Sequence, residues 1–162
     1  MTASDQNNGH LDYKDAIELM FFAYRDFIAD PDALLEAHGF GRAHHRVLHF
    51  VGCHPGLTIA DLLGILRVTK QSLARVLRTL IDNGYVEQHI GNRDRRKRLL
   101  YLTDKGHKLH AQLMAPQIAR FESVVKEAGG EAFAQWKRTM RCVIDAEGRE
   151  AVDALMDGEP PR

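Results

Sequence analysis

Apolar residues recur with a helical period over most of the chain and with a period of two in one place. Between Asp12 and Ile28 they fall on more than one face: Ile17, Met20, Tyr24 and Phe27 form one stripe, with Leu19 and Phe22 beside it. A helix apolar over so much of its circumference needs two surfaces to cover it, which predicts oligomerisation. Arg42 to Cys53 reads as a second helix, closed by "HPG". Thr58 is placed to cap a third, with Asp61 three residues on and an inward stripe of Ile59, Leu62, Leu63 and Leu66. Thr69 caps a fourth helix that runs to Asn83, its inward positions being Leu73, Val76, Leu77, Leu80 and Ile81. Gly84 follows where a left-handed residue is usual.

The period then changes. "YVEQHI" and "RLLYL" alternate as antiparallel strands do, with a basic loop between them. Thr103 and Asp104 open a long helix interrupted near Pro116, and "EAGGEAF" separates it from a last helix carrying Phe133, Trp136, Met140 and Val143. Two short helices joined by "RVT" make a helix-turn-helix, and a hairpin directly after it is a wing. The expected fold is mainly α with a small β-hairpin wing. A single domain spans 11–156: a winged helix-turn-helix over 58–102, with long flanking helices over 11–30 and 104–156. Residues 1–10 are expected to be disordered and 157–162 to be a flexible tail, by composition and position.

Charge sharpens this picture. The chain has 22 Lys and Arg against 22 Asp and Glu, for a formal net charge of zero. From Arg67 to Arg98, however, nine basic residues face three acids, so this segment carries +6 and the remainder −6. A polyanion partner is compatible with such a chain, because local field matters more than total charge. Two cysteines suit a reducing compartment, and no apolar run approaches bilayer length, so a cytoplasmic location is expected. No paired carboxylates, nucleophile motif, phosphate-cradling glycine loop or dense metal cluster is present, which argues against an enzyme.

The outer face of the fourth helix carries Gln71, Ala74, Arg75 and Arg78, with Lys70 in the first turn. A cation there opposes the helix dipole unless the helix end faces an anion. Gln71, Ser72 and Arg75 are suited to reading major-groove base edges. Within the wing loop, five of the six residues from Arg93 to Arg98 are basic. Arginine favours the narrow minor groove. Asp94, the single acid, is expected to brace one of the neighbouring guanidinium groups by a charge-assisted fork.

"DRRKRLLYLTDKG" resembles the wing signature of the MarR family of winged helix-turn-helix regulators, matched by Asp94, Arg95, Arg96, Leu100, Leu102, Thr103 and Gly106. "TIADLLGILRVTKQSLARVLRTLIDNGYVEQ" is similar to that family's paired helices. The resemblance covers roughly residues 12 to 150. It implies an obligate homodimer whose terminal helices interlock, set on double-stranded DNA at a pseudo-palindromic operator. It further implies a repressor released by a small ligand or another signal. The residues expected at DNA are Thr69, Lys70, Gln71, Ser72, Arg75, Arg78, Arg93, Asp94, Arg95 and Arg96, with Arg96 entering the minor groove and Asp94 orienting it. A different class, a winged-helix module that binds protein or RNA without a specific operator, is disfavoured by the basic wing together with Arg75 and Arg78.

Three sensing devices come into question. His45 with His49, and His107 with His110, are spaced to share a helix face and could each hold zinc. No Cys or carboxylate joins either pair at a diagnostic spacing, so neither a metal nor another cofactor is expected. Cys53 and Cys142 lack an adjacent activating pattern beyond His54 and Arg141 and read as buried packing residues. A small-molecule effector pocket is the family's common arrangement, and Tyr24, Phe27, His44, His45 and Phe50 are the residues that could line one.

Overall fold

The computed structural model describes residues 13–91 and 94–158. The expectations for residues 1–10, for the end of the tail and for Arg93 therefore lie outside the described residues. Helix α1 (Tyr13–Glu36) and helix α2 (Arg42–Cys53) precede a short strand β1 (Leu57–Thr58) and helices α3 (Ile59–Leu66) and α4 (Lys70–Asp82). Strands β2 (Val86–Ile90) and β3 (Arg98–Leu102) then lead into helices α5 (Asp104–Ala128), α6 (Gly130–Val143) and α7 (Ala146–Met156). The expected mainly α fold with a hairpin wing is what the chain adopts.

Local chemistry explains the helix-turn-helix. Thr58 and Asp61 form a reciprocal capping box: Asp61 N–H donates to Thr58 Oγ1 (3.1 Å), and Thr58 N–H donates to Asp61 Oδ2 (2.7 Å). Thr69 Oγ1 accepts the Ser72 N–H at 3.2 Å and starts α4. Between them Arg67 turns the chain in the left-handed region, at φ 49°. Gly84 has φ 73°, which a side chain would strain, and it releases the chain from α4 into β2. Leu62, Leu66, Leu73, Leu77 and Leu80 are all buried, while Val76 and Ile81 pack at the margin of the same core.

Three elements depart from the sequence expectation. The first helix, expected over 11–30, runs on through Pro31 to Glu36, and Ile28, Pro31 and Leu35 are buried on one stripe. Likewise α5 is continuous through Pro116, where a break was expected, with Leu109, Leu113 and Gln117 buried at i, i+4 and i+8. An internal proline costs a hydrogen bond and a steric clash, about 3 kcal/mol. Burial of three side chains along the same stripe offsets that cost in both helices. The last helix is in fact two, since Ile144 is extended (ψ 134°) and separates α6 from α7.

The sheet gains a third strand, in the order β1-β3-β2, all antiparallel. Leu57 pairs with Leu100 and Val86 with Leu102, which anchors the base of the wing in the core and leaves its tip outside.

Candidate nucleic-acid interface

Thr69, Lys70, Gln71, Ser72, Arg75 and Arg78 are all exposed. The capping bond at Thr69 fixes where the α4 N-terminus begins, and its hydroxyl also donates to Ser72 Oγ at 3.0 Å. With Leu73, Leu77 and Leu80 held in the core, the polar side of the helix must face out. The unsatisfied N–H groups of its first turn and Lys70 then present one positive end.

Asp94, Arg95 and Arg96 are exposed at the wing tip. Among the described residues, Asp94 contacts main chain where a guanidinium brace was expected; Arg93, one of its possible partners, lies outside them. Asp94 Oδ1 accepts the backbone N–H of Arg96 at 3.0 Å, while the Asp94 carbonyl accepts the N–H of Lys97, also at 3.0 Å. The carboxylate thus closes a local turn through the main chain. Among the described residues it pairs with no guanidinium. A short aspartate can reach the amide two residues on without ordering a long arginine side chain, which is the lower-entropy solution. Gly91 N–H donates to the Lys97 carbonyl (3.0 Å) and closes the loop behind this turn.

The five residues considered for an effector pocket lie on α1 and α2. Tyr24 lies on the exposed side of α1, and Phe27 packs on Phe121 with ring centroids 5.5 Å apart. His44 stacks on Phe40 at 4.9 Å, and His45 is buried. Phe50 lines a cavity of about 350 Å³, bounded by Ile65 of α3, Arg67 just after it, Ile144 just before α7 and Leu155 of α7. Sequence spacing gave α7 no separate identity, so this cavity was not legible from it.

The histidines regroup as well. His49 of α2 faces His110 of α5, with ring centroids 5.8 Å apart, and Cys53 lies beside both. Cys53 and Cys142 are free and exposed, not buried as expected. Burial, and then the neighbouring His110, His45 and His54, lower the His49 pKa to about 4. His110, His45 and His44 are also lowered, burial being the largest cause in each case.

These histidines make the fold acid-sensitive. An unfolded His49 takes a proton as pH falls through its ordinary 6.5, whereas the folded one resists until about 4. The contribution of His49 to stability is therefore complete above about 6.5 and is lost as pH falls across that window, because the unfolded state binds the extra proton. Urea midpoints measured from pH 7 to 5 in chelator-treated buffer should fall for the wild type and fall less steeply for His49→Gln. Parallel profiles would refute the assignment.

A capped helix-turn-helix followed by an anchored, cationic wing defines a winged-helix protein. The MarR family model matches residues 38–97. HTH-type transcriptional regulator PetP of Rhodobacter capsulatus is 48% identical over 143 residues, covering 88% of this chain and 86% of that protein. The chain belongs to the MarR family. Among solved structures, Streptococcus pneumoniae FabT in complex with DNA superposes with a TM-score of 0.69 at 21% identity, over 80% of this chain and 92% of that one. An oligodeoxyribonucleotide-bound mutant of Staphylococcus aureus MepR gives a TM-score of 0.57 at 20% identity, over 77% of this chain and 92% of that one.

Proposed function

We propose that this chain is a sequence-specific, DNA-binding transcriptional regulator that acts as a homodimer. The observation that carries the reading is electrostatic. A neutral chain concentrates +6 between Arg67 and Arg98, and the cations of α4 and of the described wing tip are exposed. Each dimer would place two α4 N-termini in successive major grooves and two wing tips at the flanking minor grooves, with half-sites about 34 Å apart. Thr69, Lys70, Gln71, Ser72, Arg75 and Arg78 would serve the major groove. Arg93, Arg95 and Arg96 would serve the backbone and minor groove, and Asp94 would shape the tip. The relatives' names and DNA complexes support this reading. Repression relieved by a signal is the mode of action that the family resemblance favours.

The dimer surface would be the N-terminal half of α1, where Ile17, Leu19, Phe21, Phe22 and Tyr24, spread over more than one face, are all more than half exposed. A helix exposing this much apolar surface around its circumference needs a partner to cover it. Trp136 of α6, which a dimer of interlocking terminal helices would also cover, already packs part of its area on Phe121 and Phe133 within the chain.

The test is selection of bound duplexes from a random pool, followed by binding at rising salt. A recovered pseudo-palindrome, an affinity that falls steeply with salt, and a solution mass of two chains that Phe22→Asp converts to one are the expected results. Protein that ignores duplexes even in dilute buffer would refute the reading.

A further inference from the structure

The regrouped His49, Cys53 and His110 were not visible as a unit from sequence, because they join two helices far apart in the chain. His49 and Cys53 lie one helical turn apart on α2, and His110 reaches them from α5. Cys53 Sγ is 3.9 Å from His110 Nε2 and 3.9 to 4.0 Å from the two ring nitrogens of His49. One ligand atom from each residue lies within 4.8 Å of the other two. The approach depends on Gly52: a Cβ there would sit 2.7 Å from both Cε1 and Nδ1 of His110. The absence of a side chain at 52 lets the imidazole lie against α2.

We propose that His49, Cys53 and His110 form a metal site that takes one zinc ion per chain and ties α2 to α5. Tetrahedral zinc, with bonds of about 2.3 Å to sulfur and about 2.0 Å to imidazole nitrogen, sets sulfur-to-nitrogen separations of roughly 3.5 Å. Contraction by a few tenths of an ångström from the present 3.9 Å reaches that value. One thiolate and two imidazoles match zinc better than calcium or magnesium, which select oxygen ligands. Cys53 is exposed and both histidines are half-buried, so the fourth position opens to solvent and water fills it. On binding, the Cys53 thiol loses its proton to solvent as the zinc–sulfur bond forms. His45 and His107, the other members of the spacing-derived pairs, lie outside this ligand set.

The experiment uses the full chain purified without an affinity tag, stripped with chelator and titrated with zinc against a chromophoric competitor. One equivalent bound by the wild type, with a rise in melting temperature, is the expected result. Cys53→Ser and His110→Gln should each lose stoichiometric uptake and that thermal response, while His107→Ala and Cys142→Ser keep both. Cobalt substitution should give a thiolate-to-metal charge-transfer band in the wild type that Cys53→Ser abolishes. Should Cys53→Ser melt like the wild type in chelator yet bind zinc equally well, the site is wrong; less than stoichiometric uptake by the wild type also overturns it.

Discussion

Arg96→Ala will weaken binding to a selected duplex by at least about tenfold and leave the dimer folded. The side chain is exposed at the wing tip and its backbone is pinned by the Asp94 carboxylate at 3.0 Å, so alanine removes a guanidinium without disturbing the turn. A well-placed arginine contact to nucleic acid is worth about 1–3 kcal/mol, and a dimer would lose two. Arg75→Ala on α4 should differ in kind: it relaxes discrimination among duplex variants more than it lowers affinity for all of them. The turn geometry adds a sharper contrast at Asp94. Asparagine retains an oxygen for the Arg96 N–H, so Asp94→Asn should bind duplex at least as well as wild type, with one negative charge fewer per wing. Asp94→Ala loses the acceptor and should bind more weakly. A guanidinium brace would require both substitutions to weaken binding, so fluorescence-anisotropy titrations of the four variants separate the two roles. Wild-type affinity in Arg96→Ala would remove the wing from the interface altogether.

What could be read from the sequence here is what short-range physics decides. Thr58, Thr69 and Thr103 all cap helices where their spacing to a following turn required it. The strand pair flanking the basic loop follows from alternation, and Gly84 from the need for positive φ. Pro116 misled because a proline's local cost is legible, whereas the burial of Leu113 and Gln117 that outweighs it is set by the neighbouring helices. The pairing of Leu57 with Leu100 was equally opaque: a two-residue strand has no periodicity of its own. For the candidate site, the exposed positions of α4 and the wing were legible as residue types, but Asp94's partner was not. A carboxylate beside several cations and one amide has competing solutions, and only the turn geometry chooses between them. His110 meets Cys53 across 57 positions, so no spacing rule within either helix could place them together.

The largest loss of stability is expected at Gly106, in the first turn of α5. Thr103 there donates its backbone N–H to the Tyr85 carbonyl (3.1 Å) and its hydroxyl to the Gly84 carbonyl (2.6 Å), while Oγ1 accepts the Gly106 N–H (3.1 Å). The end of the wing and the start of α5 are thereby fastened to the turn that follows α4. A Cβ at Gly106 would lie 3.0 Å from the Tyr85 carbonyl carbon and 3.2 Å from Leu102 Cβ, and it would overlap the Tyr85 carbonyl oxygen. The obstructing atoms are backbone and a buried strand residue, so no flexible side chain can move aside. Overpacking of this severity costs about 3 kcal/mol, which corresponds to a melting temperature lower by roughly 6–12 °C for a domain of this size. Gly64 supplies the opposite case: it lies inside α3, and a Cβ there meets nothing within 4 Å. Gly64→Ala should therefore raise stability by about 0.5–1 kcal/mol through helix propensity alone. Thermal melts of the two alanine variants should move in opposite directions. If Gly106→Ala melts with the wild type, then the junction between wing and long helix is looser than its three hydrogen bonds require, and the wing is not held by α5.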